Sequence, residues 1–328
     1  MKAEIIAPED LTLDTILTHF STDEKARVFL ETWLWPNGPV CPKCGTNDQA
    51  RIGATTENKK GGTRAGLYRC NDCRRTFTVT VGTIFEDSHL PLRKWLVAWF
   101  LICSSKKGIS ALQLQRILDI GSYRTAHFMS HRIRHALKPS PTSEKMTGTI
   151  EIDECYHGPR SKGVGFKRSS KSAVVALVDR KTGKRRSVVI GDIITANNLR
   201  KAVRENVAAG ATIHTDEHPA YKPLKGEYRH EFVTHGQPRK GVKREFHRTD
   251  ANGEVVSTNY AESSFSLLRR GVIGTFHTIS RKHLPLYVAE FDHRWNSRKD
   301  TDGERTIEGL KMARGKRLTY RAIKGAKI

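Results

Sequence analysis

The chain has 328 residues, and its 57 Lys and Arg outnumber 34 Asp and Glu to give a formal net charge of +23. A surface of that sign attracts polyanions, which favours nucleic acid over small acidic metabolites, and the length suits two or three domains. Acids within MKAEIIAPEDLTLD argue against a secretory leader, the apolar run Trp95 to Cys103 is too short to span a bilayer, and no basic amphipathic helix or lipidation signal suits a membrane partner. A soluble, cytoplasmic protein is expected.

Residues 1–38 are predicted to form a helical segment in two pieces. Leu13, Ile16, Leu17 and Phe20 space one apolar face and Ala26, Phe29, Leu30 and Trp33 another, with Ser21 and Glu24 in capping-box positions between them. Pro36, Asn37, Gly38 and Pro39 stop the helix. Residues 39–87 then turn to Gly, Thr, Arg and alternating runs such as TFTVTV, which predict hairpins. Here Cys41 and Cys44 in CPKCG, with Cys70 and Cys73 in CNDCRRTF, form two CxxC pairs. In a reducing compartment that spacing points to one tetrahedral Zn²⁺ held by four thiolates, a structural metal with no open position. A module this small needs such a metal to fold, and Lys43, Arg69, Arg74 and Arg75 would line a basic edge able to meet DNA.

Residues 88–140 read as consecutive helices. WLVAWFLIC is expected to be buried, Cys103 included, and ISALQLQRIL followed by SYRTAHFMSHRIRHAL has the form of a helix-turn-helix. Its second helix would present Arg124, His127, His131, Arg132 and Arg134, of which Arg124 and Arg132 are candidate DNA contacts. KPSPTSEK marks a linker. Across residues 141–300, strand-like TGTIEIDECY, SAVVALVDR and RRSVVIGDI precede helix-like ANNLRKAVRENVAA and strand-like ATIHTD, which predicts an α/β domain with a mixed sheet. A basic, Gly-containing stretch over 236–253 leads to the helices TNYAESSFSLLRR and RKHLPLYVAEFDHRWNSR. The second would bury Leu284, Tyr287, Phe291 and Trp295 and offer His283, His293 and Arg294 as candidate end contacts. Residues 301–328 read as a basic C-terminal tail.

Three acids occupy suggestive settings. In TIEIDECY, Ile150 and Ile152 alternate with Glu151 and Asp153, so a strand buries the isoleucines and turns both acids to its other face. Asp216 follows Ile213 near a strand end, just before Pro219. Glu262 lies on a helix with Ser266 and Arg269 on nearly the same face, while Phe265 and Leu268 fall on the packing side. Carboxylates drawn from distant segments can hold Mg²⁺ beside a phosphodiester. Glu151, Glu154, Asp179, Asp192 and Glu217 are the competing acids, and a surface strand Asp or an N-x-x-E helix cap is the plainer reading of each acid alone. Cys155 and His157 share the alternation of Asp153, most simply as a buried thiol and a satisfied histidine. The loop after this strand supplies Arg160, Lys162, Lys167, Arg168 and Lys171 as candidate backbone contacts to DNA.

The ordered set CPKCG, CNDCRRTF, IDECYHG, HTDEHPAY, NYAESSFSLLRRGVIGTFHTISRKHL and EFDHRWNSR resembles bacterial insertion-sequence transposases of the ISXO-like group, over roughly Cys41 to Arg298. The resemblance implies a zinc ribbon joined to an RNase H-like DDE catalytic domain, with Asp153, Asp216 and Glu262 as the acids that bind two Mg²⁺ ions, Mn²⁺ being an alternative. It implies cleavage and strand transfer of double-stranded DNA at transposon ends and target, by a homo-oligomer associated with the nucleoid. Where relatives often carry Lys, seven residues after the third acid, this chain has Arg269, and Arg270 follows it as a second candidate DNA contact. Two other readings compete: a non-catalytic zinc-ribbon DNA-binding regulator, and an RNase H-like nuclease that does not join ends.

Overall fold

The computed structural model describes residues 6–57, 63–140, 143–158, 171–235 and 245–324. They divide into two units, Met1–Lys138 with Lys299–Ile328, and Pro139–Arg298. Among the described residues no helix is long and apolar enough to cross a membrane.

The first unit begins with helices α1 (Leu13–His19) and α2 (Asp23–Leu34). Thr12 and Thr15 cap α1 reciprocally, and Thr22 accepts from the Lys25 amide at 3.3 Å. The cap of α2 therefore lies one residue beyond the expected Ser21, and Glu24 pairs with Arg27 instead. Ile16, Phe20, Ala26 and Leu30 are buried as their spacing requires, but Leu13 and Leu17 are exposed, because a helix of two turns contacts the core along a single narrow stripe.

Three strands follow in the order β1 (Ile52–Glu57), β2 (Thr63–Cys70) and β3 (Thr76–Phe77), all antiparallel. Only the first two residues of TFTVTV join the sheet; the rest enters turns. Cys41 and Cys70 are buried with Ile52 and Phe77, and Trp35 meets Tyr68 and Phe77 edge-on at 5.4 and 5.8 Å. The sulfur pairs Cys41–Cys73 and Cys44–Cys70 are 3.6 and 3.5 Å apart, and all four sulfurs lie within 4.8 Å of one another. Four thiolates around Zn²⁺ at 2.3 Å would stand about 3.8 Å apart, so the cage fits the ion. Hydrogen-bond contacts with the Thr46 side chain and backbone bring the Cys44 thiol down to about 6, which favours the ligating thiolate. Lys43, Arg69, Arg74 and Arg75 are exposed.

Helices α3 (Leu92–Ser104), α4 (Ala111–Ile117) and α5 (Tyr123–Ala136) complete this stretch. Trp95, Trp99, Ile102 and Cys103 are buried, as expected, and Ser110 caps α4 through the Gln113 amide at 3.1 Å. The helix-turn-helix-like pair α4–α5 departs from its expected polar face. His131, Arg132 and Arg134 are buried: the Arg132 guanidinium lies 5.2 Å from the rings of both Trp95 and Phe128 and donates to the Glu86 carbonyl, and Arg134 donates to Ser130 Oγ at 3.0 Å. These cations read as surface charge because their long apolar stems, which suit aromatic packing, are invisible to a polarity count. Arg124 remains exposed.

The second unit carries β4 (Thr149–His157), β5 (Ser172–Asp179), β6 (Arg185–Gly191), α6 (Ala196–Asn206), β7 (Thr212–Thr215), a 3₁₀ segment Pro219–Gly226, β8 (Arg229–Phe232), the short pair β9 (Arg248–Thr249) and β10 (Val255–Val256), α7 (Asn259–Gly271) and α8 (Leu284–Asn296). The five-stranded sheet runs β6-β5-β4-β7-β8. Its first three strands are antiparallel and its last three parallel, the RNase H-like mixed arrangement. On one face Ile150, Ile152, Val175 and Leu177 pack on Leu199 and Val203 of α6. On the other, Cys155, Val174, Ala176 and Val178 meet Phe265 and Leu268 of α7 and Leu284 and Phe291 of α8. With both faces covered, β5 is an unbroken apolar run. Asp292 of α8 accepts from Arg185 Nε at 2.5 Å and from the Ser187 amide at 2.7 Å, fastening α8 to the β6 edge.

The last helices, α9 (Asp302–Lys311) and α10 (Tyr320–Lys324), belong to the first unit. The expected basic tail thus contains a capped helix. Thr301 and Glu304 cap it reciprocally, and Ile307, Leu310 and Ala313 join the core formed with Trp95 and Trp99. The Lys and Arg of this region mask an i, i+3, i+6 apolar series. Gly303 sits so close to the N-terminal chain that an added Cβ would lie 1.9 Å from the Pro8 carbonyl oxygen.

Two outcomes follow from these contacts. Gly303→Ala should lower stability by about 1–3 kcal/mol in denaturant melts. Cys70→Ser, or exhaustive chelation, should take zinc from one ion per chain to none by elemental analysis and remove hydrogen-exchange protection from β1–β3.

Candidate active site

The register of β4 on β7 pairs Glu151 with His214, so Asp153 and Asp216 each lie two residues further along parallel strands. Asp153 stays within β4, opposite Ala176 of β5, whereas Asp216 stands just past the end of β7, where its Oδ1 accepts from the His218 amide at 2.9 Å. Glu262 is in the first turn of α7, the helix packed over the Asp153 face of the sheet.

Burial pushes the Asp153 carboxyl up to about 7, and the like charges of Glu154, Asp216 and Glu262 push it the same way. Burial, then Glu217, raises Asp216. The three acids therefore share one electrostatic neighbourhood. Among the described residues neither Asp153 nor Asp216 has an ion-pair partner, and the four sulfurs, not these acids, form the close cluster of metal-ligating groups; Asp153 and Asp216 are half-buried and Glu262 is exposed. Oxygen donors with excess negative charge fit a hard divalent cation such as Mg²⁺.

The competing acids have other partners. Asp179 closes the β5–β6 turn through the Lys181 amide at 2.8 Å, and Asp192 pairs with Arg281. Glu154 faces the α6 side and accepts from Tyr221 Oη at 2.6 Å. Glu151 is wholly buried and accepts from the amides of Tyr260 and Ala261 at 2.7 and 3.2 Å and from Ser257 Oγ at 3.0 Å, with Arg180 Nε at 3.6 Å. Cys155 is buried, which pushes its thiol up to about 12, and His157 Nε2 lies 3.2 Å from the Ile279 carbonyl. Both plainer readings hold.

His235 is a neighbour that sequence reasoning missed. Its amide donates to Glu217 Oε2 at 2.8 Å, while Nε2 lies 2.8 Å from Thr258 Oγ1 and 3.3 Å from Glu262 Oε1; Thr258 Oγ1 in turn donates to Glu262 at 3.0 Å. It thereby ties the segment after β8 to the third acid. The sole signal was a His soon after a short strand, RHEFVTH, which alone points nowhere.

Of the candidate DNA contacts, Arg269 and Arg270 are exposed on α7, with Arg269 6.0 Å from the Phe265 ring. Lys171 is partly buried, and Arg160, Lys162, Lys167 and Arg168 lie outside the described residues. Arg132 is buried and Arg294 pairs with Glu290 inside α8, so neither is a surface contact. His283 and His293 are partly exposed.

A Cys₄ ribbon in the same chain as an RNase H-like mixed sheet with helices on both faces points to a protein of the transposase type. Residues 145–296 match the ISXO2-like transposase domain, and residues 21–76 match the transposase zinc-ribbon domain. The chain is also 30% identical over 294 residues to an uncharacterized protein in transposable element ISH50 of Halobacterium salinarum, covering 84% of this chain and 91% of that one. This protein belongs to the ISXO2-like transposase family, and its four cysteines form the ribbon's structural zinc site. A chain of the simian T-cell lymphotropic virus intasome in complex with PP2A regulatory subunit B56 gamma aligns at 15% identity and a TM-score of 0.27, over 60% of this chain and 64% of that one.

The Asp153 carboxyl at about 7 lies above its ordinary 3.8, so its stabilising contribution is complete below pH 3.8 and is lost as pH rises through about 7. Asp153→Asn should therefore stabilise the divalent-free protein at pH 8 by about 2 kcal/mol, with the difference closing toward pH 4. Added Mg²⁺ should raise the melting temperature of the wild type and not of the variant.

Proposed function

We propose that this transposase binds double-stranded DNA at the ends of its element and catalyses Mg²⁺-dependent cleavage there, followed by attack of the freed 3′-OH on target DNA. The observation that carries the reading is the register of β4 on β7, which brings half-buried Asp153 and Asp216 along adjacent parallel strands on the face covered by α7, the helix that carries exposed Glu262. The like charges of Asp216 and Glu262 act on Asp153, a strain that a divalent cation relieves. Held by these oxygens, Mg²⁺ or Mn²⁺ would polarise the scissile phosphodiester and stabilise charge on its attacking and leaving oxygens. Asp153, which feels both other acids, would serve two ions, with Asp216 and Glu262 serving one each. No side chain need form a covalent bond to DNA.

The remaining residues bind and orient. Arg269 and Arg270, two turns beyond Glu262 on α7, would hold phosphates flanking the cut, with Arg269 offering a forked contact. Arg160, Lys162, Lys167, Arg168 and Lys171 would contact the DNA backbone from the catalytic unit, and Arg124 and the exposed basic side chains of the zinc ribbon would contact DNA from the other unit. Joining two ends requires two catalytic units, so the working form is a homo-oligomer.

Asp153→Asn, Asp216→Asn and Glu262→Gln should each lower Mg²⁺-dependent cleavage and joining by about 10³-fold or more, while binding of end DNA persists. Retained cleavage in Asp153→Asn rejects the assignment. Cuts without joined products in the wild type would make the protein a nuclease.

A further inference from the structure

Glu151 is the most deeply buried acid near the site, and all of its hydrogen bonds reach toward the start of α7. Thr258, the residue at the N-cap of α7, makes no side-chain bond to the helix amides; its hydroxyl is turned to Glu262. The first-turn amides of Tyr260 and Ala261 are instead satisfied by Glu151 Oε2, a residue more than a hundred positions earlier on the central strand. Its other oxygen accepts from Ser257 Oγ. Negative charge at a helix N-terminus is favourable, and Arg180, which also donates to the Val255 carbonyl, supplies the counter-charge.

Glu151 and Asp153 share one face of β4 and stand about 7 Å apart. Glu262 directly follows the two residues whose amides Glu151 holds. The strand carrying one acid is therefore bonded to the helix carrying another through a buried side chain whose two oxygens are both engaged in hydrogen bonds.

We propose that Glu151 is a positioning residue that docks the N-terminus of α7 on β4, sets the separation of Asp153 from Glu262, and so sets the affinity of the site for divalent cations. The role rests on the reading that those two acids hold the metal. Partners that orient ligands typically alter metal affinity about 10- to 100-fold when changed, without being ligands themselves. A carboxylate suits this position because it accepts at both oxygens. Glutamine keeps the length but turns one acceptor into a donor facing Ser257 and Arg180.

The test uses full-length, zinc-loaded protein with Mn²⁺ as the probe, its binding read by electron paramagnetic resonance, beside the Mg²⁺ dependence of cleavage. Glu151→Gln should fold, bind end DNA as the wild type does, weaken Mn²⁺ binding about 10-fold or more, and shift the Mg²⁺ midpoint of cleavage upward to match. Saturating Mg²⁺ should restore most of the rate, which a fold defect would not allow. If Glu151→Gln does not fold, Ser257→Ala, which removes one donor from the carboxylate, should shift the midpoint in the same direction by a smaller factor. An unchanged Mn²⁺ affinity in the folded variant, or a lower rate at every Mg²⁺ concentration with the midpoint unmoved, overturns the role. Equal Mn²⁺ binding by wild type and Asp153→Asn would instead reject the acid site, and this role with it.

Discussion

Parallel strands stand about 4.8 Å apart, and the register of β4 on β7 pairs Glu151 with His214, so that two residues further on the neighbouring chains carry Asp153 and, just past the end of β7, Asp216. Neither acid forms an ion pair among the described residues, and partial burial makes their charges felt more strongly than water would allow. The surrounding fold holds this unfavourable pairing rather than relieving it. β4 is central in the sheet and bonded on both edges, α7 and α8 are packed on the Asp153 face, and the buried Arg185–Asp292 contact fastens α8 at the rim. A stiff frame keeps the strand-borne Asp153 from swinging into solvent, as the proposed metal site requires.

The zinc ribbon solves a different problem. Between Trp35 and Phe77 there are too few apolar side chains to make a core, and the cluster there amounts to a handful of residues beside the sulfurs. The thiolates close what packing alone cannot, and the two knuckles are rigid enough to fix the direction of the basic side chains around them. Metal completes this small fold at soft sulfur ligands; under the proposed function a second kind of ion would act on phosphodiesters at the hard oxygens of the other unit.

Much of this was legible in the sequence because the signals are local. The alternation in TIEIDECY set the two faces of β4, the CxxC spacing marked the ribbon, and the strand-strand-strand-helix-strand order of residues 149–215 came out as read. What escaped depended on partners far away in the chain. Arg132 and Arg134 look like a recognition face until Trp95, Phe128 and Ser130 are seen around them. Glu151 and Asp153 look equivalent on their strand, and the amides of Tyr260 and Ala261 distinguish them. His235 gains meaning through Thr258 and Glu262, and no periodicity announces such a contact.

The helix α9 closes the core of a unit whose other members were made more than 160 residues earlier, and this discontinuity has a consequence for biogenesis. As the chain leaves the ribosome, residues 139–298 can fold as soon as they emerge, while the tryptophan-rich surface of α3 must wait for Ile307 and Leu310. Nascent chains cut short before that point would leave this greasy surface uncovered and invite chaperones and proteases. Messages or frames that end early would then be cleared instead of accumulating as half-working fragments.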